Sequence, residues 1–344
     1  MSLLDGIVVL DLSTVGPAAR ASRWLADYGA RVVKVGAPEG LQIEPPFYAY
    51  SAHRGMERVG IDLKSEDGMA SFLSLVDDAD VLIESFRPGV VDRLGIGYDA
   101  LKGRNPRLVY CSTSGYGQDG PRSQWAGHDL NYLGVGGFLD VSGRGPDMRP
   151  PIPGATVADS AGGGMQAVIA ILAALVQRAP TGEGAYLDVS AADGVLALMA
   201  LAVDEYLAVD VIPAPHHGML TGRYACYEVY GCSDGKWLTV AAIEPRFWAN
   251  LCRALGIEAW IDHQTDDEVQ HEIRADLTAI FRSRPRDEWV ASLGPADTCV
   301  APVLSVPEVV NDEQYNARGA FVEASDPEHG AFRQVGYVLA GSGQ

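Results

Sequence analysis

Short apolar runs rich in β-branched residues alternate with amphipathic stretches along the first third of the chain. Residues 7–12, 31–35, 59–63, 81–85 and 108–112 read as buried strands. Between them, the stretch after Pro17 reads as a helix ending near Gly29. Ser65 stands where it can cap a helix running to about Asp77, and 90–94 is helical. The repeated strand–helix–strand order predicts a parallel α/β sheet.

The middle of the chain changes character. Residues 161–177 form a strongly apolar helical stretch closed by Thr181-Gly182-Glu183-Gly184. A strand at 187–190 and an apolar helix at 191–206 follow. Residues 209–221, with two prolines, His216 and His217, have no clear period and read as a linker or active-site loop. An Asp234-Gly235 turn between 224–230 and 237–242 predicts a hairpin. Helices over 245–255, 266–282 and 286–293 and a strand at 300–304 complete a second, smaller α+β domain.

Composition narrows the function. The chain has 344 residues, 47% of them hydrophobic, enough for two domains with real cores. A formal charge of -19 with no lysine–arginine run argues against nucleic-acid and anionic-membrane partners, but not against a small anionic ligand. The five cysteines, Cys111, Cys226, Cys232, Cys252 and Cys299, include no CxxC pair, which fits a reduced, cytoplasmic chain without a zinc knuckle. The N-terminus has no signal-peptide pattern, and apolar stretches such as 168–176 are too short to span a bilayer. A soluble protein is expected.

Candidate chemistry is concentrated at a few points. The first strand–helix junction, Leu12-Ser13-Thr14-Val15-Gly16-Pro17-Ala18, has neither GxGxxG nor a phosphate loop, so no NAD or ATP site is indicated. Arg87, after a predicted strand, and Arg93 are placed to hold phosphates or are simply solvated; Arg54 and Arg58 carry the same two readings. Asp159 precedes Gly162-Gly163-Gly164 at the start of an apolar helix. An N-cap explains the aspartate. Three glycines in a first turn cost helix stability, which points to close backbone approach there and to backbone N–H groups able to hold an oxyanion. His128, in Ala-Gly-His-Asp-Leu-Asn-Tyr, is a structural histidine or a proton carrier paired with Asp159. Glu244, in Ile-Glu-Pro, is a helix cap or a third functional carboxylate. His216 and His217 lack ligand spacing, so no metal is expected. No GxSxG elbow points to a serine hydrolase.

These segments resemble the family III CoA-transferases, and among them the α-methylacyl-CoA racemases. The resemblance runs from Leu4 to about Phe321. It is carried by Gly6-Ile-Val-Val-Leu-Asp-Leu-Ser, Leu25-Ala-Asp-Tyr-Gly-Ala-Arg-Val-Val-Lys-Val, Ile61-Asp-Leu-Lys-Ser, Glu84-Ser-Phe-Arg-Pro-Gly, Arg93-Leu-Gly-Ile-Gly and Ser114-Gly-Tyr-Gly-Gln-Asp-Gly-Pro. In the transferase branch the aspartate matching Asp159 is the nucleophile; in the racemase branch it is a proton-transfer base, with a histidine in Gly-His-Asp-x-Asn-Tyr as the second. His128 and the Ile-Glu-Pro around Glu244 favour the racemase branch. Two departures stand out: Ala155 lies where an asparagine is frequent, and Gly36 and Ala37 replace a basic residue usual after the second strand.

The resemblance implies a Rossmann-like large domain and a smaller α+β domain, with two chains interlocked as a homodimer. It places the large domain at residues 1–192, with 334–344 returning to it, and the small domain at 228–318. Residues 193–227 and 319–333 would be linkers. It implies racemisation of 2-methyl-branched acyl-CoA thioesters at the dimer interface by His128 and Asp159 of one chain, with Glu244 of the other chain's small domain orienting the histidine and Met219, Leu220 and Tyr224 facing the acyl chain. CoA would be part of the substrate, with no separate cofactor. It would lie along Val15, Ile61, Ser85 and Phe86, along Arg87 and Arg93, and along Gly115, Tyr116, Gly117 and Asp129. The alternatives are CoA transfer through Asp159 and a CoA-ester-binding homologue without catalysis.

Overall fold

The computed structural model describes residues 2–38, 51–145 and 147–338. In chain order the elements are β1 (Val8–Asp11), α1 (Gly16–Asp27), β2 (Arg31–Gly36), β3 (Glu57–Gly60), α2 (Glu66–Asp77), β4 (Val81–Glu84), α3 (Val90–Arg93), α4 (Tyr98–Lys102) and β5 (Val109–Ser114). There follow α5 (Asp129–Val135), α6 (Phe138–Val141), a π-helix (Ala158–Met165) running directly into α7 (Gln166–Thr181), β6 (Ala185–Ser190), α8 (Ala191–Leu198) and α9 (Ala200–Val209). The remainder comprises β7 (Tyr227–Gly231), β8 (Trp237–Ala241), α10 (Pro245–Leu255), α11 (Gln270–Phe281), α12 (Arg286–Leu293), β9 (Val300–Pro302), α13 (Val306–Asn311), α14 (Glu313–Ala317), β10 (Phe321–Asp326) and β11 (Gly330–Val335).

Two compact units emerge: Met1–Leu139 with Ile152–Glu205 and Glu313–Gln344, and Asp140–Pro151 with Tyr206–Asp312. The first is built on a six-stranded parallel sheet in the order β3-β2-β1-β4-β5-β6. Strand residues alternate between two cores. Val9, Val32, Val81, Ile83 and Val109 pack with α1 and α7 on one face. Leu10, Val33, Leu82 and Tyr110 pack with Phe72 and Val76 of α2 on the other. This doubly covered sheet is the expected Rossmann-like arrangement. Ser65 caps α2 as expected, its Oγ accepting from the Gly68 N–H at 3.0 Å.

The second unit folds around an antiparallel β7-β8-β9 sheet. Its core joins Leu238 and Val240 to Trp248, Leu277, Phe281 and Trp289 of the covering helices. The Asp234-Gly235 turn closes β7 on β8, with Gly235 at φ +76°.

Several expectations are corrected. The strand expected at 59–63 lies at Glu57–Gly60, an edge strand whose exposed positions include the charged Glu57 and Arg58. The stretch 193–227 is not a bare linker, because α8 and α9 occupy much of it. Residues 319–333 hold most of the β10–β11 hairpin, and the first unit resumes at Glu313. Asp140–Pro151 belongs with the second unit, which the sequence did not suggest. Of the returning segment 334–344, residues 339–344 lie outside the described residues. The apolar stretch expected to be too short for a bilayer is part of a 24-residue helical run, Ala158–Thr181, long and apolar enough to cross one. Here that run packs its small residues against α1, α8 and the sheet, and Arg178 pairs with Asp80 at 2.8 Å.

Candidate active site

Asp159 lies in the first turn of the π-helix, and the triple glycine explains how that turn is packed. A Cβ on Gly163 would stand 2.5 Å from Pro17 Cβ, and one on Gly164 2.9 Å from the Trp24 ring, both on α1. A Cβ on Gly162 would stand 2.8 Å from the Ala191 carbonyl oxygen of α8. The expected close approach is therefore real, but neighbouring helices make it rather than a ligand.

His128 occupies the N-cap position of α5 and is exposed. Gly127 before it has no room for a side chain: a Cβ would lie 2.8 Å from both the Tyr116 hydroxyl and the Tyr132 ring. The Tyr132 hydroxyl donates to the Gly127 carbonyl at 2.5 Å, and its ring meets Tyr116 edge-on at 5.1 Å. The Asn131 side-chain oxygen accepts the His128 N–H at 3.0 Å. The loop that presents the imidazole is thus held by two aromatic rings and a side-chain cap.

Asp129, next to His128, ties this loop to the π-helix. Its Oδ1 accepts the backbone N–H of Asp159 at 2.8 Å. This brings the two segments together although thirty residues separate them. It also removes the Asp159 N–H from the oxyanion role expected of it, while the Ser160 N–H is bound to Thr156 O at 3.0 Å.

The Asp159 carboxyl is raised above the ordinary carboxylate range. Burial is the main cause; Arg20 and His128 oppose it and Asp129 adds to it. Arg20 Nη1 lies 3.7 Å from Asp159 Oδ2. Burial, with the negative charge of Asp159 beside it, pushes the Tyr132 hydroxyl up to about 12. A carboxyl that can hold a proton nearer neutrality, beside an exposed imidazole, is suited to acid–base exchange. Sequence reading missed Arg20 and Tyr132. The position of Arg20 on the helix that follows β1, at the carboxyl end of the sheet, was the available signal.

A cavity of about 630 Å³ opens at the carboxyl ends of β1, β2 and β3. Its apolar lining includes Val35, Ile61 and Phe86, and its cations are Lys34, Arg58 and Lys64. Lys34 is buried against Asp11 at 3.1 Å and also bonds the Ser13 carbonyl, so it shapes the loop after β1. Arg58 and Lys64 are exposed. Gly36 and Ala37 line the same cavity, so cations from the β3 side stand where the family resemblance led us to expect one after β2. Apolar lining residues beside the exposed cations Arg58 and Lys64 suit a nucleotide carrying phosphates, with Asp62 also in the lining.

Of the expected CoA-contacting residues, Ile61 and Phe86 line this cavity; Val15, Ser85, Arg87, Arg93, Gly115, Tyr116, Gly117 and Asp129 do not. Ser85, Arg87 and Arg93 are exposed after β4, and Val15 is exposed just before α1. The loop after β4 is fixed from beneath by Glu84. This buried carboxyl accepts the Phe86 N–H at 2.7 Å and the Ser112 hydroxyl, and burial holds it above its usual range. Gly115 faces the Tyr132 ring, 2.5 Å from where its Cβ would be, so its missing side chain serves packing. Gly117 turns at φ +90°, its N–H bound to Ser114 Oγ at 2.8 Å.

In the second unit, Glu244 sits at the N-cap of α10, but its side chain makes no capping bond. Capping therefore does not account for it. Met219 and Leu220 lie on a short 3-10 turn, and the Arg223 guanidinium lies over the Tyr224 ring at 5.4 Å.

Residues 4–344 match CoA-transferase family III. The chain belongs to that family. It is 34% identical over 94% of its length to α-methylacyl-CoA racemase of Homo sapiens, covering 84% of that protein. It is 33% identical over 93% of its length to a succinate–glutarate CoA-transferase of Agrobacterium fabrum, covering 84% of it. A solved CaiB/BaiF family protein from Brucella suis superposes with a TM-score of 0.79 at 29% identity, covering 100% of this chain and 96% of that one. Relatives in this family thus include both racemases and transferases of CoA thioesters.

Proposed function

We propose that this protein racemises 2-methyl-branched acyl-CoA thioesters by proton transfer at the α-carbon. The observation that carries the reading is the Asp129 bridge, which keeps the exposed His128 beside a partly buried Asp159. A proton α to a thioester is weakly acidic, so one base must remove it while the resulting enolate is stabilised. His128 takes the proton from one face and Asp159, whose raised carboxyl can hold one, delivers a proton to the other; the reverse reaction exchanges these roles. In the first turn of α5 the Asn131 and Tyr132 N–H groups are bound to the His128 carbonyl, and those of Asp129 and Leu130 are the donors for the enolate oxygen. Glu244, not engaged in capping, is supplied by the small domain of the other chain of a homodimer and orients the imidazole, as the family resemblance implies. CoA is bound as part of the substrate, its nucleotide end in the cavity beside Ile61 and Phe86.

The functional molecule is a homodimer. Support comes from α9, none of whose residues is buried, and from the apolar side chains exposed on it and just after it, Leu201 at 81%, Leu207 at 73% and Ile212 at 77%.

The test is incubation with an (R)- or (S)-2-methylacyl-CoA in deuterated water. Deuterium should enter the α-position, and His128→Ala should abolish exchange from one face. Absence of exchange, together with CoA movement between acids and a hydroxamate trapped at Asp159 by hydroxylamine, would overturn the reading in favour of transfer. Tight CoA-ester binding with neither reaction would mark a binding protein.

A further inference from the structure

The Arg20 guanidinium faces several groups of the Asp159 turn at once. Its Nε donates to Ser160 Oγ at 3.0 Å and Nη2 to Thr156 Oγ1 at 2.7 Å. Nη1 donates to the Gly16 carbonyl of its own helix at 3.2 Å and stands 3.7 Å from Asp159 Oδ2. The last contact is ionic, too long for a good hydrogen bond. The three hydrogen bonds fix the plane of the guanidinium, so its charge is aimed at a carboxylate it does not clamp. A clamped carboxylate would have its lone pairs occupied; this one has a cation beside it and, among the described residues, no hydrogen-bond donor on its oxygens. Only arginine can meet three acceptors in one plane while keeping its charge.

We propose that Arg20 is the positioning residue of the reactive carboxylate: it holds the 156–160 turn and supplies the fixed positive charge against which Asp159 works as an anion. The proposal rests on Asp159 being the reacting group and holds whether that group acts as base or as nucleophile. The groups facing Asp159 are Arg20 from α1, His128 and Asp129 at the start of α5, and Tyr132 one turn further along α5. Arg20 and His128 favour the ionised carboxylate; burial and Asp129 oppose it. Of these, Arg20 is the group whose charge is held in place by side-chain hydrogen bonds to the turn itself.

The test is a titration of protein labelled with carbon-13 at the aspartate side-chain carbonyl. Comparison with Asp159→Asn identifies the Asp159 resonance. In Arg20→Gln its midpoint should rise by about 1–3 pH units. In Arg20→Lys, which keeps the charge but not the three-bond geometry, the midpoint should stay near that of the wild type while α-proton exchange slows. If Arg20→Gln does not fold, the double change Ser160→Ala with Thr156→Val frees the guanidinium without removing it, and the midpoint should still move. An unmoved midpoint in a folded Arg20→Gln, or in the double variant where that one does not fold, overturns the proposal. The titration needs no turnover. A shifted midpoint in a protein that exchanges no deuterium would therefore refute the racemase reading and leave the role of Arg20 standing.

Discussion

Asp129 accepts the backbone N–H of Asp159 through Oδ1 at 2.8 Å, so the residue after the histidine holds the segment that carries the aspartate. Changing it separates its mechanical role from its charge. Asp129→Asn keeps an oxygen acceptor and removes a negative charge that raises the Asp159 carboxyl. The acidic limb of the pH–rate profile should then move to lower pH. The sign follows because a base works only when deprotonated, and removing a nearby anion makes deprotonation easier. Asp129→Ala leaves the buried-side N–H without its partner and should cost about 1–3 kcal/mol of stability together with most of the activity. Thermal unfolding and the exchange rate measured across pH check both outcomes.

Gly194 of α8 packs on the π-helix so tightly that a Cβ there would fall 1.7 Å from the Gly162 carbonyl oxygen. That obstacle is backbone and cannot rotate away. Gly194→Ala should therefore destabilise the first unit by about 3 kcal/mol, the upper part of the usual overpacking range. Gly154→Ala, where a Cβ meets nothing within 4 Å, is the matched control and should leave the melting temperature unchanged.

In the second unit Glu308 receives Arg286 Nη2 at 2.7 Å and Lys236 Nζ at 2.8 Å, and these partners hold its carboxyl well below the usual range. A carboxyl depressed in the folded state stabilises above its unfolded value, and that contribution disappears as pH falls through the folded one. The denaturation midpoint of the wild type should therefore drop on strong acidification below the ordinary glutamate range. Glu308→Gln should already show the loss at neutral pH and a flatter acid dependence. Parallel curves for the two proteins would exclude this pair as a source of acid sensitivity.

The exposed apolar side chains of α9 give a prediction about assembly. Leu201→Glu with Leu207→Glu should convert a dimer to monomer in light scattering with the monomer's secondary structure retained, because neither residue is buried within the chain. An unchanged mass would place the dimer contact elsewhere.

The readable parts of the fold were those where burial dictates composition. Strands β1, β4 and β5 are covered on both faces, and so each opens on three consecutive apolar residues, Val8–Leu10, Val81–Ile83 and Val109–Cys111. The extent of α5 beyond His128 was hidden because Gly134 lies within it and Gly136 and Gly137 follow it; packing of Tyr132 and Leu133, rather than propensity, makes it form. The β10–β11 hairpin escaped notice because none of its strand residues is buried and its apolar positions are interrupted by charged and polar ones. Within the site, His128 and Asp159 were legible by type and setting. Their link through Asp129 and the approach of Arg20 depend on contacts between residues 30 and 139–140 positions apart, which no local pattern records. The glycine triplet signalled a close approach but could not say that helices, rather than a ligand, were approaching.

The π-helix carrying Asp159 has a consequence for how this chain can vary. A π turn amounts to an α-helix with an extra residue accommodated, a form often found at functional sites. Each residue of an α-helix advances the chain by about 100° around the axis. Deleting one residue from Ala158–Met165 would let the turn relax to α geometry, and every side chain on one side of the deletion would swing by roughly that angle relative to the other. The carboxylate's bearing is thus written in chain length as much as in residue identity. A homologue could keep the aspartate, the histidine and all three glycines and still aim the acid away from its partner through one missing codon.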